Sequence, residues 1–298
     1  MAILSGCDNP GRDIHSNNYE NGYLNINNAE IFYKIMGSGE PILIIHGGPG
    51  LDHSYLLPHM EQLRDEYQLI FYDQRASGKS SYDVDTLTIS IDGFMDDIEG
   101  IRTSLGFEKI IVLGHSWGGL LAMYYGIRHP ENVKAMILVN AMSPDSKFRK
   151  KQEALLASRM TEQDSIDQAQ ILGSEALKKH EAGAYEDLFR LLFRREFFNK
   201  ELADNLILTF PDDFYARSQI LQYLGRDLAE YNIYDDLEYF PFPTLIIYGD
   251  YNLLSNEVAH KIDAHIPNSE LVILKNCGHF PYIEQKDAFF TVICSFLK

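Results

Sequence analysis

Ile110-Ile111-Val112-Leu113-Gly114-His115-Ser116-Trp117-Gly118 is the stretch from which the rest of the chain can be read. Four apolar residues run into Gly-x-Ser-x-Gly, and the run from Leu120 to His129 that follows has the character of a helix. Strand, Gly-x-Ser-x-Gly, helix is the context of a nucleophile elbow. The turn is so tight that the residues flanking the serine must be small, hence glycine at 114 and 118. Such a turn lifts the hydroxyl of Ser116 clear of the sheet edge, above a helix N-terminus.

Working outward, the same buried-strand signature recurs. Tyr23 to Asn27 and Ala29 to Ile35 alternate apolar and polar residues around Asn27-Asn28, a hairpin of two antiparallel edge strands. Pro41 to Ile45 is a continuous apolar run, as expected of a strand covered on both faces. Similar runs lie at Leu69–Tyr72, Ile110–Leu113, Ala135–Val139, Thr244–Tyr248 and Leu271–Leu274. Amphipathic segments at His53–Glu66, Ile91–Leu105 and Leu120–His129 separate the first of them. Strands alternating with helices predict an α/β fold with a mostly parallel, doubly wound sheet. The alternation stops between Ser143 and Phe240, where helical patterns at Phe148–Met160, Ser165–His180, Tyr185–Phe198 and Phe214–Gly225 follow one another. The expected organisation is a flexible segment at 1–22, a core at 23–142 and 241–298, and an inserted helical cap at 143–240. A last helix is expected from Lys286 to Leu297.

Bulk properties narrow the function classes. The 298 residues are 45% hydrophobic and 23% charged, with a net charge of −17. That balance argues against nucleic acid or an anionic membrane surface as partner. No stretch approaches the roughly 20 apolar residues of a membrane span. Cys7, Cys277 and Cys294 form no disulfide framework, and no His, Asp and Glu spacing suggests a metal site. Ile3-Leu4-Ser5-Gly6-Cys7 resembles a lipobox, although the apolar segment before Cys7 is too short for a signal. The expected location is cytoplasmic, or the bacterial cell envelope through a lipid anchor at Cys7 if the segment is a truncated signal peptide.

Functional loops of an open α/β sheet sit at the carboxyl ends of its strands. Here those ends read His46-Gly47-Gly48-Pro49-Gly50, Asp73-Gln74-Arg75-Ala76-Ser77-Gly78-Lys79-Ser80, the Ser116 elbow, Asn140-Ala141, Gly249-Asp250-Tyr251-Asn252 and Cys277-Gly278-His279. Taken together, the chain resembles an α/β-hydrolase of the proline iminopeptidase type, whose marks are HGGPG, DQRGxGxS and a GxSWG or GxSYG elbow. The resemblance covers Tyr23 to the C-terminus, with the cap matched in position and helical character alone. It implies a serine hydrolase without cofactor or metal that acts on a small peptide, or on a small-molecule ester or amide.

Each motif has a physical task under that reading. Ser116 as nucleophile needs a general base, because a free hydroxyl is weakly nucleophilic at neutral pH. His279 follows the last buried strand, and the order Ser, acid, His is that of α/β-hydrolases. The backbone N–H groups of Gly48 and Trp117 are the expected oxyanion donors. Asp73-Gln74-Arg75 is read as a buried ion pair that stiffens the neighbouring loops. His115 adjoins the nucleophile but points away from it on so sharp a turn, and His46, His53 and His59 are packing or surface residues.

The acid departs from the family pattern. Where the family carries the Asp of Gly-x-x-Asp, this chain carries Asn252, and the other position that some relatives use is Asn140. Three readings stand: Asn252 orients His279 through its amide oxygen, Asp250 serves instead, or the acid is missing. Substrate recognition departs too. Leu253-Leu254 follow Asn252, and Ser218 to Gln222 lack a glutamate that would bind a free α-amino group; Glu230, Asp235 and Asp236 are nearby substitutes. Trp117, Phe197, Phe198, Phe214, Tyr215 and Tyr223 suggest an aromatic acyl pocket. The expected activity is release of an N-terminal proline or other small residue. Hydrolysis of a small apolar ester or amide, or ligand binding with weakened catalysis, are the alternatives.

Overall fold

The structure, a computed structural model, describes residues 19–252 and 256–298. Cys7 and its expected lipid anchor lie outside the described residues. Eight strands form one sheet: β1 (Tyr19–Ile26), β2 (Ala29–Met36), β3 (Glu40–Ile45), β4 (Tyr67–Tyr72), β5 (Ile110–His115), β6 (Val133–Val139), β7 (Thr244–Gly249) and β8 (Ser269–Leu274). Their spatial order is β1-β2-β4-β3-β5-β6-β7-β8, antiparallel from β1 through β2 to β4 and parallel throughout the rest. All of the strands read from the apolar runs are present. Asn27 and Asn28 both take positive φ, 50° and 60°, the left-handed pair that a tight hairpin turn demands.

Twelve α-helices accompany the sheet among the described residues: α1 (Leu57–Met60), α2 (Ile91–Ser104), α3 (Trp117–Arg128), α4 (Arg149–Ser158), α5 (Glu162–Gly173), α6 (Glu175–Lys178), α7 (Ala182–Arg194), α8 (Phe214–Leu221), α9 (Gly225–Leu228), α10 (Asn256–His265), α11 (Pro281–Glu284) and α12 (Lys286–Phe296). Alternate residues of one strand feed the two faces. Leu43 and Ile45 join a cluster with Phe94, Ile98, Leu120, Val258 and Ile262 from α2, α3 and α10. Ile42 and Ile44 join Met60, Phe289 and Ile293 from α1 and α12 on the other side. Complete burial of each such side chain contributes about 1.5–3 kcal/mol, which explains why continuous apolar runs rather than alternation mark the central strands. No helix among the described residues is long and apolar enough to cross a membrane.

Three boundaries differ from the sequence expectation. β1 begins at Tyr19, inside the segment expected to be a flexible tail, because its pairing with β2 continues to Tyr19 opposite Met36 and Lys34 lies over the Tyr19 ring. The expected helix at 53–66 is broken into α1 between two 3₁₀ turns, with Pro58 in its first turn. The expected helix at 165–180 divides at Ser174, whose hydroxyl accepts from Leu177 N–H and starts α6. Between β6 and β7 the described chain carries helices and their connecting loops, with no strand and one isolated bridge, Asp145 with Asn232.

Candidate active site

The elbow is built as its glycines require. Ser116 sits at φ 57°, ψ −119°, between β5 and α3, a conformation that costs an L-residue of order 1–3 kcal/mol and persists only under tertiary constraint. A Cβ on Gly114 would stand 2.3 Å from Gly118 O, and one on Gly118 would stand 2.2 Å from Ile45 O. Ser116 N–H bonds Val139 O at 3.0 Å, which ties the turn to β6. The hydroxyl-bearing residue is half-buried and opens onto a cavity.

His279 lies in the loop after β8. Its Nδ1 bonds Asn252 Oδ1 at 2.9 Å, and both residues are buried. Asn252 thus stands where the acid of the family pattern was expected, with its amide oxygen toward the imidazole. Its Nδ2 is buried and has no hydrogen-bond partner among the described residues. Asp250, the alternative acid, accepts from Cys277 N–H at 3.2 Å. Asn140 donates to the carbonyls of Gly278 and His279 at 3.1 and 3.0 Å and accepts from Gly249 N–H, so it joins the β6, β7 and β8 loops through backbone groups. Burial, reinforced by neighbouring His115, holds the His279 imidazole well below its ordinary pKa, which keeps the ring neutral and available as a base.

Sequence reasoning missed Glu196. It follows α7 by two residues, its carbonyl accepts from His279 N–H at 2.9 Å, and its Oε2 stands 3.8 Å from His279 Nδ1. Burial pushes its carboxyl up to about 8, against the opposing pull of Arg159 and Arg195. No motif contains it, because it belongs to the helical segment and reaches the base only through tertiary packing.

Two networks hold the loop at 46–50. Gln74 Nε2 donates to His46 O at 2.7 Å, while its Oε1 accepts from Trp117 Nε1–H at 2.8 Å. The second runs through His115. Its Nε2 faces a carbonyl, His279 O, at 2.9 Å and must donate there; Nδ1 therefore accepts from Tyr55 Oη at 2.7 Å. Tyr55 Oη in turn accepts from Gly47 N–H at 2.7 Å. The residue beside Ser116 does point away from it, as expected, but it links the glycine loop to the base loop. Tyr55→Phe leaves Gly47 N–H and His115 Nδ1 buried without this partner. It should lower stability by about 1–3 kcal/mol in chemical denaturation; an unchanged midpoint and slope would show that the network carries no strain-bearing role.

The buried ion pair expected at Asp73-Gln74-Arg75 is made by Arg75 with Asp97 on α2, at 2.7 and 2.5 Å, while Asp73 instead hydrogen-bonds His53 Nδ1 at 2.6 Å, all buried. Asp52, His53 and Asp73 also bring potential ligand atoms within 4.8 Å of one another, a juxtaposition that linear spacing does not reveal. Asp73 is engaged with the backbone N–H groups of His53 and Lys79, and Asp52 caps Ser54 N–H.

The cavity holds about 250 Å³ and is lined by Gly48, Ser116 and His279 together with Glu196, Gln152 and an apolar wall. That wall corrects the expected pocket. Phe189 and Phe193, four apart on one face of α7, line it with Phe280 and Leu51. Among the residues named from sequence, Phe197 is buried in a stack on Phe280, Phe214 packs against Phe210 and Tyr185, and Phe198, Tyr215 and Tyr223 are exposed. The indole of Trp117 is fully buried against Phe94, and the residue's backbone opens α3, where the first N–H groups have no intrahelical acceptor. Glu230, Asp235 and Asp236 are exposed.

Comparison with known proteins bears on the fold and the family. The alpha/beta hydrolase fold family model matches residues 40–286. A proline iminopeptidase of Saccharolobus solfataricus is 27% identical over 296 residues, 95% of this chain and 94% of that protein. One from Clostridioides difficile is 24% identical over 289 residues, 93% and 97%. Among solved structures, the proline iminopeptidase of Mycobacterium smegmatis superposes with a TM-score of 0.68 at 21% identity, covering 93% of this chain and 97% of that one. An alpha/beta fold family hydrolase from Bacillus anthracis does so at 0.72 and 19%, covering 93% and 99%. The chain belongs to the α/β-hydrolase fold family and is proline iminopeptidase-like.

Proposed function

We propose that the protein is a cofactor-independent serine hydrolase that releases an N-terminal proline or other small residue from peptides by acyl transfer. The observation that carries the reading is one cavity shared by Ser116, His279 and Gly48, with His279 Nδ1 bonded away from the serine. Ser116 Oγ attacks the carbonyl carbon as His279 Nε2 takes its proton. Gly48 and Trp117 N–H groups receive the oxyanion, and the protonated His279 donates to the departing amine. Water then adds to the acyl-enzyme with His279 again as base, which regenerates Ser116 and frees the acid. The helical segment 143–240 acts as a cap, since Phe189, Phe193 and Glu196 close the cavity from that side.

A second reading, hydrolysis of a small apolar ester or amide, is favoured by the wall of Phe189, Phe193, Phe280 and Leu51. Among the described residues that line the cavity, Glu196 is the one carboxylate able to meet a substrate ammonium. A panel of proline and other aminoacyl arylamides beside short acyl esters separates the two. Arylamide turnover that exceeds ester turnover supports peptide release, and ester turnover alone removes it. A fluorophosphonate probe that leaves Ser116 unlabelled sinks both, in favour of a binding protein.

A further inference from the structure

Asn252 poses a chemical problem that Glu196 is placed to solve. A carboxylate beside His279 Nδ1 only accepts, so it dictates that Nδ1 carries the proton and Nε2 is free to serve as base. An amide has an accepting and a donating end. Rotated by half a turn, Asn252 pairs equally with the tautomer whose Nε2 is protonated, and that tautomer cannot take a proton from Ser116. An amide also offers no charge to the imidazolium formed when Ser116 attacks. Among the described residues no partner of the buried Nδ2 of Asn252 fixes the amide in one orientation.

Glu196 is the carboxylate nearest this defect. Its Oε2 is 3.8 Å from the same Nδ1 that Asn252 meets at 2.9 Å, and its own backbone carbonyl anchors His279 N–H at 2.9 Å. We propose that Glu196 is a positioning residue for this reaction: from the helical segment it supplies, beside His279 Nδ1, the negative charge that the strand-end loop lacks with Asn252. The inference rests on the serine-hydrolase reading above. Proton transfer balances within the pair: Ser116 loses its proton to Nε2, the ring becomes imidazolium, and Glu196 stays a carboxylate throughout.

The groups around Glu196 set when it is charged. Arg159, whose guanidinium stacks on Tyr251 at 3.7 Å and donates to Tyr251 O, and Arg195 both favour the carboxylate. Burial opposes them and leaves the carboxyl near 8. His115 packs against His279 at 4.7 Å between ring centroids, and Glu284 accepts from Gly278 and Phe198 N–H. Asp250 is held on Cys277 N–H. Because burial holds His279 well below its ordinary pKa, a rise in kcat through a midpoint near 8 reports ionisation of Glu196.

The test uses the full chain, a neutral short-chain nitrophenyl ester and a fluorophosphonate probe. In the native background, Glu196→Gln should lower kcat by about 10²–10³-fold above the midpoint and abolish the rise with pH, while the two enzymes converge at low pH. Glu196→Asp should keep part of the rate and retain the limb. With Asn252→Asp installed, the same Glu196→Gln change should cost less than about threefold, because the loop then has its own carboxylate. Equal losses in both backgrounds, or an effect confined to KM for aminoacyl substrates, would overturn the assignment. So would a native pH profile flat through this range, a result that needs no variant to fold. Ser116 labelling indifferent to Glu196 removes this inference alone; absence of labelling in every background removes the hydrolase reading with it.

Discussion

Ser116→Ala should reduce ester or arylamide turnover by on the order of 10⁴–10⁶-fold and abolish fluorophosphonate labelling, while the protein stays folded. Both side chains are small, and alanine meets the same strain at φ 57° as serine does. The midpoint of thermal unfolding should therefore move by less than the roughly 2–4 °C that 1 kcal/mol produces in a large domain. The size of the loss is informative. An Asp→Asn change at the acid of a serine triad costs about 10⁴-fold by itself. If Asn252 left His279 without any carboxylate, the native enzyme would begin that much lower and Ser116→Ala would remove only about a hundredfold of what remains. A loss above 10⁴ means that another group, Glu196 by its position, does the work of the acid.

Gly118→Ala should be the most destabilising small substitution in the site. The added Cβ would stand 2.2 Å from Ile45 O and 2.6 Å from His46 O, both backbone atoms of the central strand and the glycine loop. A flexible side chain could move aside, but the sheet backbone cannot. The expected cost is about 4 kcal/mol or more, the range reached only when a core contact is broken or overpacked. The measurement is urea denaturation of whatever soluble protein is obtained. A loss under about 1 kcal/mol would show that α3 can lift away from β3 and that the elbow is less constrained than its geometry implies. Gly106, whose added Cβ meets nothing within 4 Å, makes a comparison site for steric effects, although its φ of 77° carries a backbone cost of its own.

Much of the candidate site was legible in the sequence. Ser116, His279, Gly48 and Trp117 sit at strand ends that the apolar runs locate, and Gly114 and Gly118 report the tightness of the turn between them. These signals are local, since burial on both faces of β3 and β5 leaves its mark within six residues. The pocket wall was less legible. Phe189 and Phe193 lie on α7 at a spacing that shows a shared face, yet equally aromatic Phe214, Tyr215 and Tyr223 carry the same local pattern and point elsewhere. Helical periodicity tells which residues share a face, but not which element that face meets.

The amino-acid sequence alone determined the mostly parallel sheet, the elbow and the glycine loop, because each follows from side-chain size and polarity over a few consecutive residues, and the resemblance to the family marked the departure at Asn252. Only the tertiary structure decided what accompanies that departure. It set Asn252 Oδ1 on His279, turned Asp250 to Cys277, joined Tyr55 to His115, and carried Glu196 from the helical segment to within 3.8 Å of the base. The physical reason is that a hydrogen-bond partner is selected by distance and direction in space. At the carboxyl edge of this sheet, loops remote in sequence converge on the same few ångströms.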